Sequence, residues 1–107
     1  MNDCVFCKII DGDIPTELLY QDEDIVAFND IHPKAEHHIL IIPRKHIPTI
    51  HEMDENEGDD VLIGKMFVVA KKLAAERELN GYKLTFNVGA SAGQVVFHIH
   101  LHLMSNG

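Results

Sequence analysis

Apolar side chains recur along this chain with two spacings, and the changes from one to the other outline its elements. Residues 4–10 place Val5, Phe6, Ile9 and Ile10 on one side of about two helical turns, which Gly12 and Pro15 then end. Residues 18–20 and 25–28 read as short strands around the polar turn of residues 21–24. Residues 39–42 form an unbroken aliphatic run, as in a strand buried on both faces, stopped by Pro43. Between residues 57 and 79 the spacing returns to three and four. Val61, Leu62, Met66, Val69, Ala70 and Leu73 make an inner stripe there, while Lys65, Lys71, Lys72, Glu76 and Arg77 face out. This predicts one long helix with Asn80-Gly81 as its stop. Residues 82–88 and 97–104 supply the last two strands. Helix, strands, helix, strands with short connections predict an α+β domain, an antiparallel sheet with its helices on one side. No repeat or low-complexity linker interrupts the pattern, so residues 1–107 read as one domain.

The final strand carries the most specific pattern. In Phe97-His98-Ile99-His100-Leu101-His102-Leu103 the side chains alternate, which puts three imidazoles on one face and four large apolar groups on the other. A tag or solvated tail has no reason to interleave such residues, because exposing them invites aggregation. The stretch before it, residues 89–94, holds Gly89 and Gly93 around Ala90, Ser91 and Ala92. Small side chains there let backbone amides approach an anion held against the imidazole row.

Composition narrows the classes. The chain has 46% hydrophobic and 24% charged residues, enough apolar material for one core and too few residues for a second. A net charge of -8 would repel a nucleic acid, whereas a small anion can still be held by amides and imidazoles in a sheltered pocket. No apolar run is long enough to span a membrane, and Met1-Asn2-Asp3-Cys4 lacks the start of a secretory signal. The expected compartment is the cytoplasm. Cys4 and Cys7 stand three apart on a helical turn, a spacing suited to chelation or to redox work, and two cysteines in such a chain argue against a structural disulfide. A zinc ion would need two further nitrogen or sulfur donors.

Several motifs together resemble one family. Asn87-x-Gly89-x-x-x-Gly93-Gln94-x-Val96-x-His98-x-His100-x-His102-Leu103-Met104 resembles the signature of the histidine triad superfamily. Residues 28–33 and 38–46 are similar to its nucleotide-pocket and strand motifs, and the match runs from Cys4 to Met104. The resemblance implies a five-stranded antiparallel sheet with one short N-terminal helix and one long central helix. It implies a nucleotide hydrolase or transferase acting at the α-phosphorus of a nucleoside phosphoramidate or related conjugate. The nucleophile would be His100, giving a nucleotidyl-histidine intermediate that water cleaves to a nucleoside monophosphate such as AMP. A neutral imidazole can attack without a strong base, which agrees with that role.

The same resemblance assigns the neighbours. His102 and His38 would assist by binding phosphoryl oxygens or protonating the leaving group. Asn87 and the Gly93 amide would meet the phosphate region, Asp30 the ribose hydroxyls, and Phe6, Ile9, Phe28, Ile31 and Leu40 the purine base. Val95 stands where the family commonly has a hydroxyl residue, so weaker turnover or a different leaving group is expected. Cys4, Cys7, His46 and His98 match a structural zinc site of bacterial relatives and of the related galactose-1-phosphate uridylyltransferases; the chemistry itself needs no metal. Relatives pair as two-fold homodimers, and the same is expected here. The alternative function is a weak or inactive module that binds zinc and a nucleotide. His32, His37 and His51 are expected to face solvent.

Overall fold

A computed structural model describes residues 3–107. Helix α1 (Val5–Ile10) leads to strands β1 (Tyr20–Gln21), β2 (Ile25–Asn29) and β3 (His37–Pro43), then to helix α2 (Asp59–Glu76) and strands β4 (Lys83–Thr85) and β5 (Leu101–Ser105). Every pairing is antiparallel, and the sheet order is β1-β2-β3-β5-β4. The α+β fold with one short and one long helix is as the sequence predicts.

Local chemistry explains the boundaries. Cys4 caps α1, its Sγ accepting from the Cys7 amide at 3.4 Å. Asp22 shapes the first hairpin by accepting from the Asp24 and Ile25 amides, both at 2.7 Å, and this turn lets pairing begin at Tyr20 rather than Leu18. Helix α2 opens with Asp59 and Asp60, whose charge suits the positive end of the helix. It stops at Glu76, short of Asn80-Gly81. Glu78 adopts a left-handed φ of 54°, and the Leu79 amide donates back to Ala74 at 3.0 Å, a Schellman-type closure built on a residue other than glycine.

The helices lie on opposite faces of the sheet, which corrects the expectation of one side. Ile25, Ala27, Ile39, Ile41, Leu101 and Leu103 pack against Met66, Val69, Ala70 and Leu73 of α2. Val26, Phe28, Leu40 and Ile42 pack instead with Phe6 of α1, with Ile9 and Ile10 partly buried against them. Strands β2 and β3 are therefore apolar on both faces, and β3 runs through Pro43 rather than stopping before it. Fully burying each of these aliphatic side chains contributes about 1.5–3 kcal/mol of transfer free energy. The imidazoles of the last strand share the α1 side, since His102 pairs opposite Leu40.

The last two strands are shorter than predicted. Pairing of β5 with β3 runs only from Leu101 to Ser105, and upstream the Ile99 amide leaves the ladder to donate to Ile47 at 2.8 Å. Residues 98–100 thus lie beyond the sheet proper, although Ile99 still joins the α2 core. Phe97, expected in that core, is 44% exposed.

Candidate active and metal-binding site

Two imidazole clusters flank the start of β5, and main-chain hydrogen bonds fix the ring tautomers of His98, His100 and His38. His98 is fully buried, with its Nε2–H donating to the Pro43 carbonyl at 2.7 Å. Its Nδ1 lone pair is therefore turned the other way, 3.3 Å from Cys4 Sγ, 3.5 Å from Cys7 Sγ and 3.2 Å from His46 Nδ1. Cys7 Sγ lies 3.4 Å from His46 Nδ1. A tetrahedral ion with metal–sulfur bonds near 2.3 Å and metal–nitrogen bonds near 2.0–2.1 Å has S–N edges of about 3.5 Å and an N–N edge of about 3.3 Å. The four donor atoms, all within 4.8 Å of one another, have the spacing of such a ligand set. Burial pushes the Cys4 thiol up and lowers His98 to about 4, so the seat favours thiolates only when a cation neutralises them. The Pro43 carbonyl is the outer partner that orients the His98 ring. A cleft of about 720 Å³, lined by Cys4, Cys7, His46, Val95, Val96 and Phe97, gives an ion a way in.

Next along the chain, His100 is 9% exposed and its Nδ1–H donates to the His98 carbonyl at 2.9 Å. That bond leaves the lone pair on Nε2. Burial lowers its pKa and keeps the ring neutral. Phe6 meets it edge-on with centroids 5.0 Å apart, and meets His98 at 5.9 Å and Phe28 at 5.6 Å.

The second cluster comprises Asp30, His38 and His102. The Lys34 amide donates to His38 Nδ1 at 3.1 Å, which puts the His38 proton on Nε2. That Nε2–H lies 3.0 Å from His102 Nδ1 and 3.4 Å from Asp30 Oδ2. His102 then carries its own proton on Nε2, a buried atom that meets no acceptor among the described residues. Burial, with His100 and His38 nearby, lowers His102 to about 4. These three residues also come within 4.8 Å of one another, but the His38 nitrogen that would face a cation holds a proton, locked there by the Lys34 amide. This cluster is set to donate a hydrogen bond rather than to hold a metal.

The remaining predicted site residues divide. Phe28 and Leu40 are buried beside Phe6, with Ile9 half-buried against them. Ile31 and Val95 are each 85% exposed, and Val95 lines the cleft beside the four donor atoms. Asp30 also accepts from the His32 amide at 2.9 Å, acting as a turn acid while its other oxygen faces His38. The Gly93 amide donates to Ala90 at 3.0 Å, so the anion contact expected of it is already engaged inside the loop. Gly93 has a left-handed φ of 94° and lies against Asn87, where a Cβ would sit 3.7 Å from the Asn87 amide nitrogen. His32 and His51 face solvent, while His37 is half-buried.

Sequence reasoning passed over Gln94. It is buried, its amide nitrogen donates to the Pro48 and Val96 carbonyls at 2.7 and 3.1 Å, and its Oε1 accepts from the Gly89 amide at 2.9 Å. It ties the glycine loop to the segment that follows His46. Its place in the Gly93-Gln94-x-Val96 part of the motif marked the position without giving it a role.

Comparison with known proteins agrees with this geometry. The family model described as scavenger mRNA decapping enzyme C-term binding matches residues 3–107. Purine nucleoside phosphoramidase of Escherichia coli K12 is 41% identical over 102 residues, 94% of this chain and 84% of that protein. A HIT family hydrolase from Legionella pneumophila superposes with a TM-score of 0.92 at 46% identity, covering 98% of this chain and 94% of the other. A histidine triad protein from Clostridium difficile also gives 0.92, at 36% identity, over 100% and 93% of the two chains. With His98, His100 and His102 leading into the central part of a five-stranded antiparallel sheet and these relatives matched over nearly its full length, the chain belongs to the histidine triad superfamily.

Proposed function

We propose that this protein hydrolyses the phosphorus–nitrogen bond of nucleoside phosphoramidates, or the equivalent bond of related nucleotide conjugates, through a nucleotidyl intermediate on His100. The observation that carries the reading is the bond from His100 Nδ1–H to the His98 carbonyl, which fixes the tautomer and leaves Nε2 as a nucleophile. Nε2 attacks phosphorus and the bond to the leaving amine breaks. The departing amine takes its proton from solvent, while His102 Nε2–H, held in place by the His38 bond to its Nδ1, donates a hydrogen bond to a phosphoryl oxygen. Water then attacks the adduct and returns a proton to solvent, the bond to His100 breaks, and a nucleoside monophosphate departs. Similarity to the Escherichia coli purine nucleoside phosphoramidase supports the phosphoramidate class.

Asp30 is assigned to the ribose, Asn87 and the Gly93 loop to the phosphate region, and Phe6, Ile9, Phe28 and Leu40 to the purine. Ile31 and Val95 contribute at the rim. Zinc is assigned to Cys4, Cys7, His46 and His98, where it would supply a cross-link between α1 and the triad segment. A homodimer is proposed on the resemblance, supported by the apolar surface of Ile50, Met53, Ile63, Phe67, Phe86 and Val88.

The test is mass spectrometry of the protein mixed with an adenosine phosphoramidate and quenched in alkali, which preserves a phosphohistidine. The wild type is expected to carry one nucleotidyl adduct. His100→Ala is expected to lose it, with turnover falling by at least about 10⁴-fold. Full activity in that variant removes His100 from the mechanism. Nucleotide binding by the wild type with neither adduct nor turnover would establish the alternative, a binding module.

A further inference from the structure

We infer that His98 is a positioning residue for His100 and that it acts through the metal seat, so that losing the cation costs turnover while the fold survives. This rests on the reading of His100 as nucleophile. The ring of His98 is pinned at both ends, by the Pro43 carbonyl on Nε2 and by the ligand set around Nδ1. The carbonyl of the same residue accepts the Nδ1–H of His100. Side chain and main chain of one residue therefore connect the ion to the tautomer and aim of the nucleophile.

The sheet cannot do this work. Strand pairing begins only at Leu101, so His98 and His100 sit on a segment outside the ladder. Its backbone tie is the bond from the Ile99 amide to Ile47, and Ile47 directly follows His46, another donor of the seat. Phe6 gives a second link, because it lies between Cys4 and Cys7 and packs edge-on against both His98 and His100. All three pieces that surround His100 on this side, namely α1, the segment after β3 and residues 98–100, thus converge on the four donor atoms. Without the ion those pieces keep their apolar contacts but lose their common anchor. A displacement of about 1 Å at a nucleophile is enough to cost about 100-fold in rate.

The experiment compares wild type, the double variant Cys4→Ser/Cys7→Ser and His98→Cys, each with its metal content measured. Imidazole nitrogen NMR reads the His100 tautomer without any substrate, and steady-state kinetics on an adenosine phosphoramidate separate kcat from KM. In the metal-free double variant the single Nδ1–H tautomer of His100 is expected to give way to a mixture. Its kcat is expected to fall about 30–100-fold with KM within about threefold. His98→Cys can complete a three-cysteine, one-histidine seat, and is expected to hold zinc and return kcat to within about tenfold of wild type. A folded, metal-free variant that keeps one His100 tautomer and an unchanged kcat overturns the proposal. So does a metal-free chain that is unfolded, since the ion then holds the fold and not the nucleophile. A wild type that turns nothing over, yet changes its His100 tautomer on losing metal, counts against the phosphoramidase reading alone.

Discussion

The two imidazole clusters beside β5 are built from similar residues and are put to opposite uses. Around His98 the ring proton points away to the Pro43 carbonyl, and its lone pair converges with two sulfurs and with His46 Nδ1. Around His38 and His102 one backbone amide, that of Lys34, takes the His38 Nδ1 lone pair and so drives a proton onto each outward nitrogen in turn. In each cluster a main-chain group behind one ring sets its tautomer: the Pro43 carbonyl turns the His98 lone pair towards the sulfurs, and the Lys34 amide turns the His38 N–H towards His102.

The largest effect that bears on this contrast comes from removing the His102 donor. His102→Ala is expected to lower turnover of a phosphoramidate by about 10²–10³-fold while metal content stays at one ion per chain. Loss of the ion in that variant would break the separation between the clusters. Next in size is metal removal. Native chelation is expected to lower stability by about 4 kcal/mol, the value for an ion held at a thousand times its Kd, and to lower the Tm accordingly. Titration with zinc is expected to stop at one equivalent, because a second would have to displace the proton on His38. Tight binding of two would overturn the tautomer assignment.

The smallest effect is in the pH dependence of stability. His102 is held near pKa 4 by burial, with Asp30 opposing and His100, His38 and Lys34 reinforcing the shift. Below its ordinary 6.5 the unfolded chain takes up a proton that the folded chain refuses. Stability carried by the neutral ring is therefore lost as pH falls from about 6.5 towards about 4, and is level again below that. His102→Gln is expected to flatten this part of the curve, measured by denaturant titration at fixed metal loading. An unchanged slope would mean that the ring is solvated in the folded state.

Much of this was legible from residue spacing. The stripe from Met66 to Leu73, the aliphatic run of β3 and the alternation around His100 each correspond to a face of one element, and faces are what periodicity reports. The side taken by α1 was not legible, because six residues give too little periodicity to show which sheet face receives Phe6. Apolar residues on both faces of β2 allowed either answer, and Val26 and Phe28 settled it only by packing. Phe97 was misread for a related reason: alternation continues in the sequence after the ladder partner has run out. Histidine types and spacing announced chemistry, but the tautomers depend on Lys34 and Pro43, whose roles come from their main-chain groups and leave no mark in the sequence. Ile31 and Val95 were placed by motif position, and motif position does not report exposure.

The buried Nε2–H of His102 has a cost that the rest of the chain must absorb. An unmatched donor of this kind forfeits about 1–3 kcal/mol, which an apolar residue of similar shape at position 102 would recover. Laboratory evolution for heat resistance alone would therefore be drawn to this position, and its survivors would be sturdier proteins with slower chemistry.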